Sequence, residues 1–307
     1  MRIATIDLDG TPTAALVEDD AVRPLPGVGI LDALAGAIGE AGEPIALGDV
    51  RLLSPIEPAS VRDFSVFEQH GEGAVRFFAG PDANVQDAWY EGPAFYFSNP
   101  HATTGPGDVI EPPAVHSGLD LELEVAAIVG RRGRNVPVEE AGAYIAGYTI
   151  FNDWSERDIA AREARLPFGF HKTKDFANTF GPWIVTPDEL DPHRDGDRFD
   201  LRMTASVNGN ELGSDTLASM AWSFEELVHF AARGAWIAPG DVIGSGTCGS
   251  GCLFELWGRN QAKDPPPLLP GDEVRLEVEG IGTLTNTIGE PQPDFPPLPR
   301  ARARARA

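Results

Sequence analysis

The chain has 307 residues and is 42% hydrophobic, enough to bury a large core in one large domain or two smaller ones. Its formal net charge of −23 repels nucleic acid and anionic membrane surfaces, so neither is expected as a partner. No apolar run approaches the roughly 18 residues that cross a bilayer. The N-terminus carries acid at Asp7, too early for a secretory signal, and a cytoplasmic location is the expectation. Cys248-x3-Cys252 lacks a second pair to make a zinc site, and the two read as small buried or semi-buried free thiols. Glycine (34) and proline (27) are too frequent for a helical protein and favour a turn-rich, mostly β architecture.

In chain order, residues 1–58 read as a small N-terminal domain. Strands are expected over 3–7 and 14–17, a helix over 29–41, and a strand from residue 50 that runs into a proline-marked boundary. A main domain is expected over 59–290. There the same device occurs three times, a Gly/Pro/Asp turn followed by an apolar β-rich run, at 105–108, 239–241 and 270–272. Helices are expected over 138–143 and 224–233. The second has Ser223 as N-cap and Glu226 three residues on, the pattern of a capping box. The Pro-rich tail, 291–307, ends in alternating Arg and Ala and reads as disordered.

Leu119 to Val129 alternates apolar and acidic residues before turning wholly apolar, and reads as one strand. Period two places Asp120, Glu122 and Glu124 on one face. Neighbouring carboxylates repel, and burial would add several kcal/mol of desolvation for each. A hard divalent cation removes both costs; a solvated acidic face is the other reading. Asp153 closes a second apolar strand. Arg157 and Asp158 are expected to pair with each other or to cap a helix beginning near Ser155. Upstream, Asp63 is followed by His70.

These segments form an ordered set: Asp63-x6-His70, Leu119-Asp-Leu-Glu122-Leu-Glu124, Asn152-Asp153-Trp154-Ser-Glu-Arg157-Asp158, Lys174-x7-Pro182-Trp183, and Gly246-Thr247 followed by Glu255. The chain therefore resembles the fumarylacetoacetate hydrolase family over roughly residues 50–290. The resemblance implies an α+β fold, mostly β: a mixed β-roll or sandwich with flanking helices, usually a homodimer. It implies Mg²⁺, with Mn²⁺ or Ca²⁺ as substitutes, held by Asp63, Glu122, Glu124 and Asp153. It implies His70 as general base oriented by Glu255, Lys174 beside the reacting carbonyl, and Arg76, Tyr96 and Thr247 as substrate contacts. Asp120 matches a family aspartate of open role.

The implied reaction is hydrolysis of a C–C bond in a β-diketone or acylpyruvate-type acid, the substrate chelating through two oxygens. A lyase or isomerase of the same fold (2-oxo acid decarboxylase, hydratase or tautomerase) is the alternative. The chain departs from the fumarylacetoacetate-cleaving pattern at Ser65, Ala160 and Ala164, which replace longer polar side chains. That points to a bulkier or less polar acyl part.

Overall fold

Alternating side chains make the first strands, Arg2–Leu8, Thr11–Glu18 and Ala21–Pro24, an antiparallel meander. Asp9 and Gly10 link the first two with φ of 52° and 81°, the positive pair that a type I′ hairpin turn requires. The computed structural model describes residues 1–307 except 115, 116, 167, 295, 297, 298, 300 and 302–307. The expected disordered tail falls mostly outside the described residues.

The helix expected over 29–41 is corrected to Ile30–Leu34. Gly36 and Gly39 adopt φ of 92° and 64°, and this left-handed backbone ends the helix early. The Arg2–Leu8 strand pairs with Asn178–Val185, so the N-terminal strands extend the main sheet. That sheet runs Ile45–Ala46, Ala21–Pro24, Thr11–Glu18, Arg2–Leu8, Asn178–Val185, Ile145–Asn152, Leu123–Val129, Asp241–Gly244, Ser60–Phe64 and Phe95–Ser98.

A second sheet orders Asn210–Thr216, Arg202–Val207, Glu273–Val278, Gly282–Ile288 and Val109–Ile110. The three Gly/Pro/Asp turns each lead into a strand, at Val109, Asp241 and Glu273. Val125, Ala127 and Val129 face a core shared with Met203, Ala205, Leu276 and Leu284 of the second sheet. Ala126 and Ile128 face the other way, onto a core with Ile3, Ala14, Leu25 and Ile56. Both faces of the central strand are covered, which is why its apolar run is unbroken.

Helix Glu68–Ala79 packs on Leu253–Asn260 through Gly73 and Gly258; a Cβ on Gly258 would lie 1.9 Å from the Gly73 carbonyl oxygen. Helix Phe224–Ala232 carries both bonds of the capping box between Ser223 and Glu226. Among the described residues no helix is long and apolar enough to cross a membrane. The architecture is mixed α+β, mostly β, with helices flanking the sheets.

Candidate functional site

The acidic run is not one strand. Leu119–Asp120 pairs with Ser155–Glu156, the chain breaks at Leu121 and Glu122, and Leu123–Val129 resumes in the main sheet. At the break the Glu122 N–H donates to Asn152 Oδ1 (2.9 Å) instead of to a ladder partner. The kink brings Glu122 beside Glu124, beside Asp63 at the end of Ser60–Phe64, and beside Asp153 just past Ile145–Asn152. One oxygen from each of the four lies within 4.8 Å of the others, and none of the four residues is more than 3% exposed. The solvated acidic face is thereby excluded.

The cluster fits a hard dication. Asp63 Oδ1 and Asp153 Oδ1 are buried without a hydrogen-bond partner. The single Tyr96 hydroxyl contacts Oδ2 of both Asp63 and Asp153, and its one proton cannot satisfy both. Gly244 occupies the intervening strand because a Cβ there would lie 2.4 Å from Asp63 Oδ1 and 3.2 Å from Glu124 Oε2. Gly246 N–H donates to Glu124 Oε2 (3.0 Å) and Thr247 Oγ1 to Glu124 Oε1 (3.4 Å).

Burial raises the Asp63 carboxyl above its ordinary value, and the nearby Lys174 ammonium opposes it only in part. Glu124 and Asp153 are pushed up strongly, again by burial and by their acidic neighbours. A divalent cation bound among these oxygens would relieve the same cost by supplying positive charge.

Two cations hold the remaining carboxylate. Lys174 Nζ pairs with Glu122 and Asp153 and lies 2.8 Å from Ser155 Oγ. Burial would raise Glu122, but Lys174, Arg157 and His70 outweigh it and keep the group well below the usual carboxylate range. Arg157 was expected to cap or pair at its own helix. Instead the cap is Glu156, and Arg157 reaches back to Asp120 Oδ2 (2.7 Å) and Glu122 Oε1 (2.6 Å). Asp158 meets Ser117 and Lys263, not Arg157. Asp120 gains a role that its residue type alone does not reveal. It accepts from the N–H groups of Leu253 (2.7 Å) and Phe254 (3.0 Å), tying helix Leu253–Asn260 to the cluster.

His70 lies on the Glu68–Ala79 helix at the edge of the cluster. Its Nδ1 is 3.5 Å from Cys252 Sγ and 4.0 Å from Glu255 Oε2. The expected His70–Glu255 hydrogen bond is therefore corrected to a near contact. Glu255 is taken by Gln69 (3.1 Å), the Ser250 N–H (2.6 Å) and Arg259 (2.9 Å). Burial pushes His70 down to about 4, with Glu122 opposing and Arg157 and Lys174 adding to the fall.

Arg76 is not brought to this site. Its guanidinium is used by Ala83 O (3.0 Å), Asn84 Oδ1 (3.2 Å) and Glu72 (3.0 Å). The i,i+4 partner Glu72, one turn back on the same helix, was the sequence signal that it stays local. Both cysteines are buried and free.

Three of the four acids, Asp63, Glu122 and Glu124, line a cavity of about 460 Å³ together with Lys174, Arg157, His70, Tyr96 and Thr247. Phe64, Val75, Phe78, Phe95 and Phe254 line the same cavity, with Ser65 and Ala160. A larger groove, about 700 Å³, lies between the N-terminal strands and residues 53–58, but Glu57 is its single acidic lining residue.

The family model described as fumarylacetoacetate (FAA) hydrolase C-terminal matches residues 64–289, and one described as Rv2993c-like, N-terminal matches residues 1–55. The oxaloacetate tautomerase YisK of Bacillus subtilis is 29% identical over 80% of this chain and 75% of its own length. The fumarylacetoacetase of Oryza sativa subsp. japonica is 28% identical over 80% of this chain and 71% of its own. Among solved structures, a 5-carboxymethyl-2-hydroxymuconate delta-isomerase from Mycobacterium smegmatis matches with a TM-score of 0.71 and 26% identity, covering 94% of this chain and 100% of that one. With most of its length matched by the family model, this chain belongs to the fumarylacetoacetate hydrolase family of enzymes.

Proposed function

We propose that this protein is a Mg²⁺-dependent hydrolase that cleaves a C–C bond in a β-diketone or acylpyruvate-type acid, acting as a cytoplasmic homodimer. The observation that supports this reading is the meeting of four buried carboxylates, two of them with unpartnered oxygens and three of them lining a cavity that also carries several phenylalanines. Asp63, Glu122, Glu124 and Asp153 would hold the ion. Bound there, a divalent cation supplies positive charge to the carbonyl oxygens of a chelating substrate.

The remaining work falls to the chain's own groups. Burial keeps His70 down at about 4, so the ring is neutral near neutral pH, and it lines the cavity where it would accept a proton from water. Lys174 keeps an ammonium at the wall where substrate oxygen charge develops. Thr247 and Tyr96 line the same cavity. Phe64, Phe78, Phe95 and Phe254 exclude water and receive an apolar acyl group, with Ser65 and Ala160 adding room.

A second reading, enol–keto tautomerisation of a 2-oxo acid, is favoured by one observation. Glu255 is engaged elsewhere and does not orient His70. An imidazole of low basicity without a carboxylate hydrogen-bonded to it suits removal and return of a proton on an acidic carbon better than activation of water.

One experiment separates the two. Purified protein with Mg²⁺ is given acylpyruvates and oxaloacetate, and products are read by mass in H₂O and D₂O. Two acids from one substrate support hydrolysis; deuterium uptake without cleavage supports tautomerisation; neither outcome, across the panel, contradicts both. His70→Ala lowers the rate by about two to four orders of magnitude in either case.

A further inference from the structure

His70 sits between two sets of ligands. On one side is the carboxylate cluster; on the other is Cys252, buried at the N-cap of helix Leu253–Asn260. His70, Cys252 and Glu122 each offer a ligand atom, and the three atoms lie within 4.8 Å of one another. The Cys252 Sγ to His70 Nδ1 separation is 3.5 Å. A tetrahedral zinc ion with ordinary Zn–S and Zn–N bonds sets its sulfur and nitrogen ligands about 3.5 Å apart.

Asp120, Glu122 and Glu255 lie around Cys252 and are paired with Arg157, Lys174 and Arg259, so the surroundings are close to balanced in charge. Burial raises the thiol above its ordinary value, so a metal ion would have to displace its proton. A route exists as well, because His70 and Glu122 both line the cavity.

We propose that His70, Cys252 and Glu122 form a second metal site, selective for thiophilic dications such as Zn²⁺ and distinct from the all-oxygen cluster. Sulfur and imidazole select soft or borderline ions, whereas the four carboxylates select hard ones. On binding, the Cys252 S–H bond breaks, its proton passes to solvent, an S–metal bond forms, and the imidazole lone pair of His70 is taken up. Three protein ligands leave a fourth position open to water or substrate. Glu122 belongs to both sites, so occupancy of one alters the other.

A consequence rests on reading His70 as the base: zinc would silence it. The binding itself does not depend on that reading.

The test uses Cd²⁺ as probe on the full chain, reading the ultraviolet thiolate-to-cadmium charge-transfer band, which carboxylate ligands do not produce. The wild type is expected to show the band and saturate at one thiolate-bound Cd²⁺ per chain. Zn²⁺ should bleach the band, and Mg²⁺ in large excess should leave it. Cys252→Ser should abolish it and Cys248→Ser should keep it. Serine is itself a good N-cap, so the first substitution suits the fold.

His70→Ala keeps the thiol and should weaken Cd²⁺ by at least the roughly tenfold that losing even an outer partner costs. A wild type without the band, a band surviving in Cys252→Ser, or unchanged affinity in His70→Ala overturns the proposal. Because the readout is a spectrum and not turnover, it stands or falls separately from any failure to find catalysis.

Discussion

Arg157 joins two buried carboxylates, Asp120 and Glu122, that lie 37 and 35 residues before it, one on the strand Leu119–Asp120 and the other in the break that follows. Removing it would strand Asp120 and Glu122 as buried charges with less compensation. Arg157→Met is expected to lower unfolding stability by about 3–5 kcal/mol, read by urea denaturation. Glu156 behaves differently. Its carboxyl is sealed from solvent, accepts the N–H groups of Gly118 and Asp158, and is pushed up to about 7, chiefly by burial.

The folded pKa of Glu156 exceeds the unfolded value, so its contribution is complete below the unfolded carboxylate pKa and is lost as pH rises through about 7. Glu156→Gln keeps the accepting oxygen and cannot ionise. It should leave stability near pH 4 unchanged and raise it at pH 8 by roughly 1–3 kcal/mol, seen as a higher thermal midpoint only at the higher pH. At this scale the acids themselves were legible: Asp63, Glu122, Glu124 and Asp153 were identifiable by type and order. The partners of Arg157 and the capping role of Asp120 were not, because each is decided by contacts across strands that no local pattern records.

Elements met at close quarters explain what pattern reading missed. Period two alone makes 119–129 a single strand. At the break over Leu121 and Glu122 the Asn152 side chain takes the Glu122 N–H in place of a strand partner. The short first helix was likewise readable only after asking where Gly36 and Gly39 change hand. By contrast Ser223 and Glu226 announced their capping box in full, since both bonds are local.

The pair of helices that carries His70 and Glu255 depends on two glycines. A Cβ on Gly73 would lie 2.3 Å from Glu255 Cγ, and one on Gly258 would meet the backbone of the facing helix. Gly258→Ala should force the helices apart and cost about 1–3 kcal/mol by urea denaturation. It should also lower turnover through displacement of His70.

The two matched segments, 1–55 and 64–289, share one sheet and one core in the folded molecule. Ile3, Leu25 and Ile56 pack against Val61, Ile128 and Phe180 across the boundary. Scanning calorimetry should accordingly show one cooperative transition; two separated peaks would show that the N-terminal strands form an independent unit. The family, the fold class and the acidic site were legible in the ordered motifs, whereas the fusion of the two segments through Arg2–Leu8 and Asn178–Val185 was not, since strand pairing over such a distance leaves no sequence period.

Four of the chain's acids, Asp63, Glu122, Glu124 and Asp153, meet at one buried point, where a bound cation would balance them. Calorimetric titration of Mn²⁺ tests that point most directly, comparing the wild type with the Glu124→Gln/Asp153→Asn double variant. One ion per chain in the wild type and none in the folded double variant is the predicted result. A wild type that takes up no ion, or a double variant that binds as tightly as the wild type, would contradict it.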